Sequence, residues 1–203
     1  MRTPRSYHHG NLKQALLEAS LALIRKSGAG AFTLREVARR AGVSHNAPYR
    51  HFRNKEELLA ALGAEGFDRL TAAMPKAAES ATGALERFHM SGRGYVEFAL
   101  RYPQHFAVMF EVPWSYELYP ETPAAGARAF GTLVRYVEAC QTEGALPPGD
   151  AQPFALLAWS LVHGVAKLAI SGRLPFRKSA DVLRFTDAAT AALSRGMGNA
   201  LGQ

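Results

Sequence analysis

The chain has a single cysteine, Cys140, among its 203 residues, so no intrachain disulfide is possible. A reducing, cytoplasmic setting fits that composition. Runs of β-branched residues are scarce while Ala, Leu and Arg abound, which points away from sheets and toward an all-α chain. Long apolar runs are missing as well. The nearest, 154–170, is interrupted by His163 and Lys167, so no membrane partner is expected. Residues 1–10 are polar and lack the apolar stretch of a secretory signal. Signatures of catalysis are missing too. There is no Gly-rich phosphate loop, no nucleophile elbow and no paired-carboxylate pattern, so neither an enzyme nor a cofactor is expected. The adjacent pair His8-His9 lacks metal-ligand spacing, and Cys140 has no Cys or His partner at such spacing; it reads as a small apolar filler.

Acidic residues are short in one place only. Residues 1–55 hold 11 Lys/Arg against 2 Asp/Glu, a balance of +9. Residues 56–203 hold 13 against 15, a balance of −2. All the excess positive charge thus sits at one end. That asymmetry is the electrostatic footprint of a DNA-binding end joined to a neutral partner domain. We accordingly divide the chain into a DNA-binding domain with an N-terminal arm, 1–55, and a helical domain, 56–203.

What occupies the basic end is a helix-turn-helix pattern over 33–55, Thr-Leu-Arg-Glu-Val-Ala-Arg-Arg-Ala-Gly-Val-Ser-His-Asn-Ala-Pro-Tyr-Arg-His-Phe-Arg-Asn-Lys. Thr33 and Glu36 have the spacing of a capping box. Val37, Ala38 and Ala41 line one side of a first helix over 33–41, and Ala38 is small enough for a second helix to cross closely. Gly42 stands where the chain must reverse with positive φ. Val43 plugs the corner, and Ser44 is placed to cap a second helix over 45–52. Pro48 falls in the first turn of that helix, where few N–H groups have partners. A helix with this polar and cationic surface fits the DNA major groove.

Before this unit, Asn11 can cap a helix to about residue 27. After it, Asn54 can cap a helix to about 73. Further helices are expected over 84–102, 104–110, 124–143, 151–170 and 179–195, the last capped by Ser179. The three prolines of 111–123 predict a loop.

The run Thr-Leu-Arg-Glu-Val-Ala-x-x-Ala-Gly-Val-Ser, followed by Tyr49, Phe52 and Asn54-Lys55-Glu56-Glu57-Leu58-Leu59, resembles the TetR family of bacterial transcriptional regulators. The run Trp159-Ser-Leu-Val-His163-Gly164 is similar to the Trp-x-x-x-His-Gly signature of one C-terminal subgroup. The resemblance implies an all-α fold: a three-helix, homeodomain-like helix-turn-helix head and a helical C-terminal domain. It implies a homodimer through the last two long helices, a palindromic double-stranded DNA operator, a small-molecule effector and, most commonly, repression.

It also assigns roles. Tyr49, His51 and Lys55 match positions that grip phosphate, with Thr33 and Arg35 doing the same at a helix N-terminus. His45, Asn46, Ala47 and Arg50 face base edges; Asn pairs bidentately with adenine, Arg with guanine, and Ala can touch a thymine methyl. Ser44 serves as cap and contact. Arg2 and Arg5 could enter the minor groove as an arm. In the aromatic-rich C-terminal domain, Phe98, Met109, Phe110, Trp114, Tyr136, Cys140 and His163 are the candidates to line an effector cavity, with core packing the competing role for each. Gly164, in mid-helix, calls for close helix approach or cavity space in compensation. The alternative class is a nonspecific or architectural DNA binder, which would spread its basic charge more widely.

Overall fold

The computed structural model describes residues 12–113, 115 and 117–200, and among these the chain is helical with no strand. The elements run α1 (Leu12–Ser27), α2 (Leu34–Ala41), a short 3-10 turn (Pro48–Arg50), α3 (Lys55–Ala77), α4 (Ala84–Arg101), α5 (Pro103–Glu111), α6 (Glu121–Thr142), α7 (Ala151–Ile170) and α8 (Ser179–Ala200). The expectations placed on Arg2, Arg5, His8-His9, Asn11 and Trp114 fall outside the described residues.

Local chemistry sets the head. The Thr33 hydroxyl accepts from the Glu36 amide at 3.3 Å, while Glu36 Oε2 accepts from the Thr33 amide at 2.8 Å. Two orphan amides at the start of α2 are thereby satisfied. Gly42 ends the helix at φ 72°, the left-handed conformation, and its neighbour Val43 donates back to the Ala38 carbonyl at 3.0 Å. Asn54 caps α3, its Oδ1 accepting from the Glu57 amide at 2.8 Å. Leu16, Leu17, Phe32, Val37, Phe52, Leu58 and Leu62 close beneath this frame into one core, each such buried side chain contributing roughly 1.5–3 kcal/mol.

The second motif helix differs from expectation. Residues 45–52 form no α-helix; only Pro48–Arg50 is regular, as a 3-10 turn. Pro48 is the cause. Without an N–H it cannot make the bond to the Ser44 carbonyl that would open an α-helix. The bonds that do form step back mostly by three residues: Ala47 to Ser44 at 3.0 Å, Arg50 to Ala47 at 3.3 Å, His51 to Pro48 at 2.9 Å. Ser44 consequently caps no helix, and the Pro48 ring is buried instead of awkwardly exposed.

Three boundaries also move. α3 continues through Pro75 to Ala77, since a proline in the last turn removes a single rung. α6 starts at Glu121, because Pro120 and Pro123 occupy the cap and first turn, where no intrahelical N–H is needed. Ser179 is the first residue of α8, not its cap.

α4 is central to the C-terminal domain, packing against α3, α6, α7 and α8. α7 is long and apolar enough to cross a membrane by length and composition, which the interrupting His163 and Lys167 had argued against; here it packs on α4, α6 and α8. α3 supplies both cores: Leu58 and Leu62 to the head, Leu70 and Met74 to the domain beyond. The boundary drawn at 55 therefore falls at the first residue of a helix shared by the two.

α3 and α4 approach closely at Gly94, where an added Cβ would stand 2.8 Å from Ala77 Cβ and 3.0 Å from the Ala73 carbonyl oxygen. Backbone cannot rotate aside as a side chain can. Gly94→Ala should destabilise the protein by about 1–3 kcal/mol in urea unfolding. An unchanged midpoint would mean that the two helices slide apart freely.

Candidate nucleic-acid interface and effector cavity

The tight turn at Gly42 and the 3-10 turn present a continuous polar surface. Arg35, Ser44, His45, Asn46, Tyr49, Arg50 and His51 are all exposed, with Ala47 half-buried between them. Tyr49 leaves 52% of its surface open although it is a large aromatic, which sets it apart from its neighbour Phe52, buried at 2%. Thr33 is exposed too, but its hydroxyl is engaged with Glu36, whose carboxyl these bonds hold below the usual carboxylate range. Lys55 is partly buried. Its ammonium donates to the Gly30 carbonyl at 2.9 Å and lies 5.5 Å from the centroid of the Phe32 ring. That anchoring fixes where the charge sits while leaving further N–H groups to donate. Arg53, by contrast, is paired with Glu57 at 3.1 Å.

The C-terminal domain holds a partly open cavity of about 910 Å³ among α3, α4, α5, α6 and α7. Its walls include Phe67, Leu70, Met109, Phe110, Phe130 and Trp159. Of the residues expected there, Met109 and Phe110 are in the wall. Phe98 is buried in the core against Tyr102, 5.5 Å between ring centroids. Tyr136 and Cys140 belong to a packed cluster with Phe88, Val137 and Phe154 that backs the wall at Phe130, Leu133 and Trp159, and neither is in the wall itself. Burial pushes the Cys140 thiol up to about 11, which makes it an inert filler. His163 stands one layer behind the wall. Its Nδ1 is 2.9 Å from the Tyr95 hydroxyl, which also accepts from Trp159 Nε1 at 3.2 Å. The rings of Phe106 and Phe110 enclose the imidazole, and desolvation, with Lys167 nearby, lowers its pKa.

Tyr95 and Trp159 are thus the polar end of the cavity, and sequence reading assigned neither to it. Both fall on ordinary apolar stripes, and nothing in local spacing reveals that α4 and α7 bring their polar atoms together. Phe67 and Phe130 are hidden by the same ambiguity between core and wall.

α5 connects the two regions. Val108 is fully buried in the head core, while the next residues, Met109 and Phe110, face the cavity. α3 comes so close to α5 that a Cβ on Gly66 would lie 2.6 Å from Met109 Sδ. The start of α6 is tied to the same place: Thr122 donates to the Ala60 carbonyl at 3.0 Å, and Tyr119 donates to Asn54 Oδ1 at 3.2 Å.

His105, on α5, is 3% exposed beside Glu65, Arg69 and the Tyr102 ring. Burial lowers its pKa, as it does those of His89 and His163. These histidines are held neutral in the fold, so the unfolded chain takes up protons first as pH falls through its ordinary value of about 6.5. The thermal midpoint should decline below that pH, and His105→Gln should decline less steeply. A midpoint flat from pH 7 to 5.5 would contradict this.

Comparison with known proteins follows the same division. A family model described as bacterial regulatory proteins, tetR family, matches residues 16–62, and one described as tetracyclin repressor-like, C-terminal domain, matches 88–193. A search of curated proteins returns no match. Among solved structures, a protein with unknown function from Rhodococcus sp. RHA1 is 37% identical, with 96% of this chain and 99% of that one covered at a TM-score of 0.83. A bacterial regulatory protein in the tetR family from Rhodococcus RHA1 is 24% identical over 93% and 98%, TM-score 0.76. The regulator FadR from Bacillus subtilis, solved in complex with stearoyl-CoA, shares the fold at 15% identity over 90% and 98%, TM-score 0.76. The chain belongs to the TetR family of bacterial transcriptional regulators, proteins that join a DNA-binding helix-turn-helix head to a helical C-terminal domain.

Proposed function

We propose that this chain is an effector-responsive repressor that binds a two-fold symmetric operator as a homodimer. The observation that carries the reading is α5, a single short helix with one side chain in the head core and the next two in the cavity wall. A ligand that fits the cavity only when α5 shifts changes the set of the head, and with it the affinity for DNA. The size of the response is the ligand's differential affinity for the two arrangements. Membership of the family supports a binding protein over an enzyme.

In this reading Arg35, Tyr49, His51 and Lys55 hold the phosphates, joined by Thr33 once its hydroxyl proton turns from Glu36 to DNA, while His45, Asn46, Ala47 and Arg50 meet base edges and Ser44 lies at their margin. Two heads must stand about 34–36 Å apart to enter successive major grooves on one face of DNA. Arg50→Ala should cost about 1–3 kcal/mol on the preferred site and relax sequence preference at one position. Lys55→Ala should weaken all sequences alike and lower the slope of log affinity against log salt by about one. Equal weakening of all sequences by Arg50→Ala would move Arg50 to the phosphate group.

The dimer is proposed through α7 and α8. Leu157, Leu168 and Ile170 of α7 and Phe185 of α8 are between 36% and 42% exposed, an unusual concentration of large apolar groups. Leu157, Leu161, Gly164 and Leu168 share one face of α7 by helical spacing. An added Cβ on Gly164 meets nothing within 4 Å among the described residues, so no packing within them explains the glycine; a partner helix lying close would. Gly164→Leu should leave helical content and fold unchanged while weakening dimerisation in sedimentation equilibrium. Undiminished association would place the dimer contact elsewhere.

A further inference from the structure

The cavity's chemistry narrows what can fill it. Its described lining residues are apolar or neutral: Asp, Glu, Lys, Arg and His are all absent from the wall. Thr122 spends its proton on the Ala60 carbonyl, and the Trp159 N–H is given to Tyr95. Among the described side chains of the wall, Thr122 therefore keeps only acceptor capacity, and the remaining polar capacity lies on the Tyr95 hydroxyl oxygen, at the α4–α7 end.

That oxygen has three hydrogen-bonding positions, two lone pairs and one proton. Trp159 fills one lone pair, and His163 Nδ1 takes up a second position. If imidazole accepts from Tyr95, one lone pair remains; if it donates, the phenolic proton remains. Either tautomer leaves one open hydrogen-bonding position, and a hydroxyl group, both donor and acceptor, satisfies either. Burial raises the Tyr95 phenol and lowers the His163 imidazole, so this end carries no charge near neutral pH. A carboxylate or phosphate placed there would lose hydration with no cation in return.

We propose that the effector of this chain is an uncharged, mainly hydrocarbon molecule whose one polar group, a hydroxyl or an equivalent neutral oxygen, seats against Tyr95. This rests on the reading of the cavity as the effector site. It excludes acids and phosphate-bearing headgroups from the cavity itself. The aromatic wall of Phe67, Phe110 and Phe130 supplies the apolar contact.

The test uses the full-length protein at pH 7.5 with two probes of one chain length, decan-1-ol and decanoate, in isothermal titration calorimetry. The alcohol should bind on the order of 100-fold more tightly than the acid. Tyr95→Phe, which keeps the ring and removes the hydroxyl, should weaken decan-1-ol by about 5–10-fold, with a thermal melt establishing that the variant is folded. Equal affinity for alcohol and acid would overturn the neutral-ligand proposal and leave the effector cavity standing. Binding of the alcohol unaffected by Tyr95→Phe in a folded variant would overturn the assignment of Tyr95. Failure of decan-1-ol to bind would overturn the neutral-ligand proposal, and binding of decan-1-ol undiminished by Ala129→Phe, placed in the wall of a folded variant, would overturn the cavity reading.

Discussion

The arrangement depends on the seating of α5 against α3. Val108 is buried among head residues, Met109 presses on α3 where Gly66 leaves no room for a Cβ, and Phe110 looks into the cavity. Val108 and Phe110 thus set one short helix against both the head core and the cavity wall. The ties from Thr122 to Ala60 and from Tyr119 to Asn54 fasten the start of α6 to the same end of α3. The cap of α3, the helix that leaves the head, thereby shares a hydrogen-bond acceptor with the segment leading into α6 of the C-terminal domain.

The division of charge matches this mechanical layout. A head with a +9 balance gains association rate and nonspecific affinity from phosphate, and a nearly neutral remainder can bury apolar faces against itself and a second copy without self-repulsion. The exposed surface around His45, Asn46 and Arg50 stands on a frame of short-range bonds at Thr33, Glu36, Gly42 and Asn54. A surface held by capping interactions needs less ordering when a partner binds.

The short-range parts of this structure were legible in the sequence because their chemistry is local. The capping box, the left-handed turn at Gly42 and the Asn54 cap each involve residues three or four apart, and each stands as expected. Pro48 removes the bond that would begin the second helix, and a 3-10 turn stands where the sequence pattern predicts an α-helix. The cavity was legible only in part. Met109 and Phe110 line it, whereas Cys140, Tyr136 and Phe98 are packed in cores whose apolar periodicity looks the same from sequence. Tyr95 meets Trp159 and His163 across helices separated by more than 60 residues, and no local pattern encodes that meeting.

Selection of genomic fragments on the purified full-length protein tests the central claim most directly. The account requires one enriched motif with two-fold symmetry, its half-sites on one face of the duplex, bound more tightly than random DNA at every salt concentration. Retention of fragments without a shared motif, with affinity set by salt alone, would contradict it and make this chain a nonspecific DNA binder.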